Sequence, residues 1–196
     1  MTRVIVTAVR PRERFVQYLQ THIPDLEVVW DRYQNAMETF LRATEITGAD
    51  AAIRLEDDVI LTQDWRTKVE AQIAERPNDL IQFFSRSKYD VSIGSRYKSG
   101  AVFTCNVCIY LPPGFSKELF DYYKVWPRKK EHPTGLDYLI ADLMKEKGMS
   151  YWVCVPNLAD HSVSISQISS RRPRRRVSTT FVNPELKGYP ARESGV

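Results

Sequence analysis

Several signatures of common enzyme classes are missing from these 196 residues. There is no G-x-x-x-x-G-K-[ST] loop and no G-x-G-x-x-G, which argues against P-loop and dinucleotide chemistry. No G-x-S-x-G occurs, which argues against the nucleophile elbow of an α/β-hydrolase. No apolar run approaches the roughly 20 residues that span a bilayer. The apolar stretch in MTRVIVTAVRPRER is too short for a signal peptide and lacks a small-residue cleavage site, so a soluble, cytoplasmic protein is expected. Cysteine is scarce. The three residues Cys105, Cys108 and Cys154 are odd in number and lack framework spacing, which argues against a secreted disulfide scaffold. CNVC has the C-x-x-C spacing of zinc and redox sites. It lies inside the apolar stretch AVFTCNVCIYL, however, and no second C-x-x-C or His pair follows, so buried, reduced thiols are the simpler reading.

What is present suits one domain. Hydrophobic residues make up 43% of the chain and charged residues 27%, enough for a core and a solvated surface. The net charge of +4 is local. Five of the 28 Lys and Arg residues fall in RRPRRR (171–176), and the remaining 23 balance 24 acidic residues. An anionic partner is therefore to be sought at that segment. A catalytic domain over 1–165 is expected, followed by a basic segment, 166–196, that wraps the domain or is partly disordered.

The periodicity predicts alternating elements. RVIVTAV reads as a buried first strand, followed by a helix opened by Pro11 with Phe15, Leu19 and Ile23 on one face. LEVVW is a second strand ending at Asp31, and NAMETFLRATEI a second helix stopped by Gly48. AAIRL is a third strand. Asp64 then caps a helix with Trp65, Val69 and Ile73 on its inner face. LIQFF, AVFTCNVCIYL and YWVCV read as later strands, residues 85–100 as a long polar loop, and LDYLIADLMKEKG as a late helix. This order predicts an α/β fold with a mostly parallel central sheet flanked by helices. Ligands of such sheets bind past the carboxyl ends of the strands. Arg10, Asp31 and the triplet Glu56-Asp57-Asp58 all fall at that rim.

The triplet demands an explanation. Two carboxylates about 4 Å apart repel by roughly 4 kcal/mol even at an effective dielectric near 20, and each raises its neighbour's pKa unless a cation compensates. Oxygen ligands of this type suit Mg²⁺ or Mn²⁺. Glu56 and Asp58 fit on one side of an extended turn, with Asp57 directed towards a ribose or a supporting hydrogen bond. The bland alternative is a solvated acidic turn. His161 follows a strand and a Pro-Asn turn, and is either a third ligand or an ordinary loop histidine. Asp137, in TGLD, is either a general base for an acceptor hydroxyl or part of a capping box with Thr134. The arginine run either folds over a diphosphate, binds a nucleic-acid backbone, or is a solvated tail.

AAIRLEDDVIL resembles the strand and acidic motif of GT-A-fold glycosyltransferases, a Rossmann-like family. VIVTAVRPRERF is similar to their nucleotide-binding first strand and loop. HPTGLDYLIADLMKEKG and VPNLADHS follow in the family's order, so the resemblance covers roughly residues 3–165. It implies a nucleotide-sugar donor bound by Thr7, Ala8, Arg10, Arg14, Asp31 and Asp57; Arg175, from the arginine run outside the resemblance, is a further candidate for the diphosphate. It further implies Mn²⁺ or Mg²⁺ on Glu56, Asp58 and His161, and Asp137 as the base of an inverting transfer. Acceptors of compact members from bacteria and their viruses include glycans, proteins and hydroxymethylated DNA bases, and the arginine run favours an anionic one. Two other readings compete. One is a different metal-dependent phosphate enzyme, a nucleotidyltransferase or nuclease. The other is a non-catalytic nucleic-acid-binding protein working through its arginines, for which Asp58 would be dispensable.

Overall fold

The computed structural model describes residues 1–162 and 177–190. The strands are β1 (Arg3–Ala8), β2 (Leu26–Trp30), β3 (Ala52–Glu56), β4 (Val59–Leu61), β5 (Leu80–Gln82), β6 (Arg96–Ser99), β7 (Cys108–Leu111), β8 (Ser150–Val153) and β9 (Ala159–His161). The helices are α1 (Glu13–His22), α2 (Ala36–Thr47), α3 (Trp65–Glu75), α4 (Asp90–Ile93), α5 (Phe115–Val125) and α6 (Leu136–Glu146). Seven strands form one sheet in the order β2-β1-β3-β7-β5-β8-β6. Strands β1, β2, β3, β5 and β8 run one way, and β7 and β6 run against them. The sheet is mostly parallel, as the strand–helix alternation predicts.

Alternation along the strands divides the core. Val4, Val6, Ile53, Leu55 and Tyr110 face α1 and α3, whose Tyr18, Leu19, Trp65, Val69 and Ile73 complete that layer. Leu80, Ile109, Leu111, Tyr151 and Val153 face the other way, onto Met37 and Phe40 of α2, Leu119 of α5 and Leu139, Ile140 and Leu143 of α6. Helices thus cover both faces, the arrangement that buries a parallel sheet. The three cysteines are buried and unbridged. Burial pushes the Cys154 thiol up to about 12 and raises Cys108 further still.

Three local expectations are corrected. Residues 85–100 are not one long loop: they contain α4 and the edge strand β6, which pairs with β8. The strand read over 101–111 shrinks to Cys108–Leu111. Ahead of it, Gly100–Val102 form a 3-10 turn, and Cys105 has a left-handed backbone at φ 68°. A Cβ on Gly100 would lie 2.3 Å from Met144 Cβ and 2.8 Å from the Met149 carbonyl oxygen, so this turn presses against α6 at a distance only glycine allows. The capping box does not form. Gly135 is the N-cap of α6, no side chain caps it, and Asp137 bonds elsewhere. Asp64 does stand at the N-cap of α3, but with a left-handed backbone and no side-chain capping bond.

Among the described residues no helix is long and apolar enough to cross a membrane. Residues 177–190 lie against the domain. Thr62 bridges Pro184 in antiparallel register, and the Glu185 N–H donates to the Leu61 carbonyl at 2.7 Å. The Tyr18 hydroxyl donates to the Glu185 carbonyl at 2.6 Å and accepts the Leu61 N–H at 3.0 Å.

Candidate functional site

The acidic triplet lies where β3 leaves the sheet. Glu56 is the last residue of β3 and pairs across to Thr7. The chain then turns through Asp57 and Asp58 into β4. That strand pairs antiparallel with β9, placing Val59 opposite His161. The Ser162 N–H donates to the Asp58 carbonyl at 2.9 Å, closing the pair at its end. This small second sheet is what carries His161 across about a hundred residues of sequence to the triplet.

His161 Nε2 lies 3.5 Å from Glu56 Oε2 and 3.5 Å from Asp58 Oδ1. One ligand atom from each of Glu56, Asp58 and His161 falls within 4.8 Å of the others. His161 Nδ1 is 2.6 Å from the Ser162 carbonyl oxygen. A carbonyl only accepts, so that bond assigns the ring hydrogen to Nδ1 and leaves Nε2 turned to the carboxylates. In the neutral ring Nε2 presents a lone pair to two carboxylates, and three electron-rich groups facing one another need a positive charge between them. Burial lowers the His161 pKa, but Glu56 and Asp58 outweigh it and hold the pKa above the ordinary value. A divalent cation would satisfy the same arrangement with two oxygens and one nitrogen, and the imidazole nitrogen favours Mn²⁺ over Mg²⁺. The residues fit such an ion.

Asp57 turns away from this cluster. Its Oδ2 accepts the Val9 N–H at 2.9 Å and its Oδ1 accepts from Arg12 Nη1 at 2.8 Å. The same Arg12 nitrogen stands 3.1 Å from Asp58 Oδ2. Burial raises the Asp57 carboxyl to about 6, opposed by Arg12 and the Val9 N–H and reinforced by Asp58. Burial also lowers Arg12, but Asp58 and Asp57 outweigh it and raise its pKa. Arg12 is the residue that sequence reasoning missed. Pro11 opens a 3-10 turn over Arg10–Arg12, α1 starts at Glu13, and that turn directs Arg12 inward. The sequence offered three arginines at alternate positions in RPRER, and the resemblance singled out Arg10 and Arg14 while passing over Arg12.

The other candidates fall as follows. Thr7 stands beside Glu56, its hydroxyl 3.5 Å from the Leu55 carbonyl. Ala8 is buried, and its carbonyl accepts the Asp31 N–H at 2.7 Å. Asp31 Oδ1 accepts the N–H groups of Tyr33 and Asn35 at 2.9 and 3.2 Å, shaping the turn into α2. Arg10 is exposed and stacks on Trp30, its guanidinium carbon 4.3 Å from the ring centroid. Arg14 is exposed. Asp137 accepts the Cys105 N–H at 2.9 Å and the Asn106 N–H at 3.0 Å, one on each carboxylate oxygen. It thereby fixes the turn that enters β7, and Val107, just ahead of that strand, accepts the Glu56 N–H at 3.0 Å. Arg175, with the whole arginine run, lies outside the described residues.

No protein-family model and no curated protein matches this chain. Among solved structures it is similar to a Bacillus anthracis protein described as a glucose-1-phosphate thymidylyltransferase in complex with a sucrose. The identity is 10%, the match covers 82% of this chain and 89% of that one, and the TM-score is 0.48.

Proposed function

We propose that the chain is a metal-dependent transferase acting on a nucleotide-diphosphate sugar and passing the sugar to an acceptor hydroxyl. The observation that carries this reading is the convergence of Glu56, Asp58 and His161 at the carboxyl rim of the parallel strands. Glu56, Asp58 and His161 would hold Mn²⁺ or Mg²⁺, and such an ion neutralises charge on a leaving diphosphate. Arg12, Asp57 and the Val9 N–H form a connected group between the first-strand loop and the triplet. In this reading Asp57 and the residues after β1, Thr7 to Arg14, contact the nucleoside and phosphates. Asp31, which follows the neighbouring β2, would border the same space. The acceptor is a glycan, a protein or a modified nucleic-acid base, and an anionic acceptor suits the arginine run.

Asp137 is the weakest element of an inverting mechanism. Both of its oxygens accept backbone N–H groups, and that engagement favours a second reading that needs no carboxylate base. In nucleotidyl transfer the attacking sugar phosphate is already ionised, while the demands on cation and diphosphate are the same.

Thermal unfolding in the presence of nucleoside diphosphates, nucleoside triphosphates and their sugar conjugates, with and without Mn²⁺, tests the reading. A ligand at about 100 times its Kd adds roughly 2.7 kcal/mol of stability. The expected result is Mn²⁺-dependent stabilisation by one nucleotide class, lost in Asp58→Asn. Product analysis then separates sugar transfer from nucleotidyl transfer. No response to any nucleotide in either condition would overturn both readings.

A further inference from the structure

The turn after β1 reaches into the acidic centre through one side chain. Pro11 lies in the 3-10 turn Arg10–Arg12, and the Arg12 N–H closes that turn on the Val9 carbonyl at 2.9 Å. The Val9 N–H donates to Asp57 Oδ2, also at 2.9 Å. Asp57 Oδ1 in turn accepts from Arg12 Nη1 at 2.8 Å. Val9, Asp57 and Arg12 therefore form a closed ring of three hydrogen bonds. It holds Arg12 at its backbone and at the tip of its side chain.

The ring delivers one nitrogen to Asp58. Arg12 Nη1 stands 3.1 Å from Asp58 Oδ2, while Asp58 Oδ1 lies 3.5 Å from His161 Nε2. The backbone of Asp58 is held separately, by the Ser162 N–H on its carbonyl at 2.9 Å. A backbone bond does not set the last torsion of the side chain, which is intrinsically broad for a carboxylate. A charge-assisted contact on Oδ2 does set it, and with it the place of Oδ1 relative to Glu56 and His161. Groups at this remove from an ion orient its ligands, and a small divalent cation is exacting about where its oxygens stand.

We propose that Arg12 is a positioning residue of the acidic centre: held by Asp57 and the Val9 carbonyl, its guanidinium fixes the Asp58 carboxylate so that Oδ1 joins Glu56 and His161 as a ligand of a divalent cation. The inference rests on the cation reading above. Charge alone predicts the opposite effect. Arg12 is a positive charge beside the place of a cation, so its removal would by itself tighten cation binding. Loss of orientation weakens binding instead, typically by about 10–100-fold.

The test titrates the full chain with Mn²⁺ alone and follows the free ion by electron paramagnetic resonance, below the metal-free melting range of every variant. Arg12→Met should weaken Mn²⁺ binding at least about tenfold. Arg12→Lys restores a charged donor without the planar fork and should recover part of that loss. A lower melting temperature by itself decides nothing between packing and positioning, so the affinity is the readout. Unchanged or tighter Mn²⁺ binding in Arg12→Met overturns the inference while the cation site stands. Arg12→Lys binding no better than Arg12→Met also overturns it, because the lost packing and not the donated contact would then be responsible. If the parent chain binds no Mn²⁺, the cation reading and this inference fall together. Should Arg12→Met not fold, Arg12→Gln, which also lacks the charge, takes its place: weaker binding supports the inference, and equal or tighter binding overturns it.

Discussion

Arg12 and Asp57 form the most exacting contact in the site. Their side chains are 13% and 5% exposed, and the guanidinium also serves Asp58, which is wholly buried. Removing one member of a buried ion pair leaves the other charged and unsolvated, typically at a cost of about 3–5 kcal/mol. Arg12→Met should therefore destabilise the protein by roughly 3 kcal/mol in urea denaturation. Arg12→Lys should recover part of that loss, because an ammonium supplies the charge but not the planar fork. Equal stability of all three proteins would mean that water already reaches Asp57. The same contact explains the triplet's geometry. Glu56 and Asp58 face His161, while Asp57 is drawn to the opposite side by Arg12 and the Val9 N–H. The sequence made the triplet conspicuous, but of the three arginines in RPRER it pointed to Arg10 and Arg14, while the turn directs Arg12 inward.

At the scale of elements, β3 carries a feature that the hydrophobic pattern concealed. Arg54 sits mid-strand, buried, in a run otherwise read as core. Its guanidinium reaches the Thr44 hydroxyl at 3.4 Å and the Phe40 carbonyl at 3.3 Å, and lies 4.8 Å from the Phe40 ring centroid. Among the described residues no carboxylate forms an ion pair with it. Burial lowers its pKa to about 9, which signals an expensive charge. Exchanging such a group for an apolar one of similar volume is often neutral or stabilising by about 1–4 kcal/mol. Arg54→Met should raise the melting temperature by about 2–4 °C for each kcal/mol gained, read by calorimetry. A fall of several degrees would show that the three Arg54 contacts are worth more than the desolvation they offset. The element pair β4–β9 teaches a related lesson. VIL and ADH are each too short to read as strands, and they pair only because the turn after Glu56 and the segment before Ser162 meet across the fold.

Across the whole molecule, one hydroxyl stands among the ties that hold the described C-terminal segment. Tyr18 is buried in α1, and its oxygen links Leu61 of β4 to Glu185 of the segment. Tyr18→Phe leaves both backbone partners short of a bond, an omission that costs about 1–3 kcal/mol for each buried group left unsatisfied. Hydrogen exchange in residues 177–190 should then accelerate well before exchange in the strands of the sheet. Unchanged protection there would mean that the Thr62–Pro184 bridge and the Tyr189 ring suffice. A second whole-molecule tie is Asn157, which is buried. It accepts the Ser85 N–H at 3.0 Å and the Ser178 hydroxyl at 2.6 Å, and donates to the Cys154 carbonyl at 2.7 Å. It joins the ends of β5 and β8 to the returning segment, close to the Asp160 carboxylate that accepts the N–H groups of His161 and Ser178 at 2.8 Å each.

What the sequence by itself determined follows from local rules. Apolar period and turn residues set the strand–helix alternation, and the alternation set a parallel-rich sheet with the acidic triplet at its carboxyl rim. Charge crowding, together with placement after a buried strand, marked Glu56 and Asp58 as candidate cation ligands, with a solvated acidic turn as the alternative. Tertiary structure decided which groups answer them. His161 and Ser162 arrive through a short antiparallel pair, and Arg12 through a 3-10 turn. Backbone pairing across about a hundred residues brings in His161, a side-chain contact across 45 positions brings in Arg12, and side-chain periodicity carries no information about either. The role of Asp137 turned on the same point. Its spacing from Thr134 suggested a local cap, while its carboxylate instead holds the turn at Cys105 and Asn106, thirty residues away.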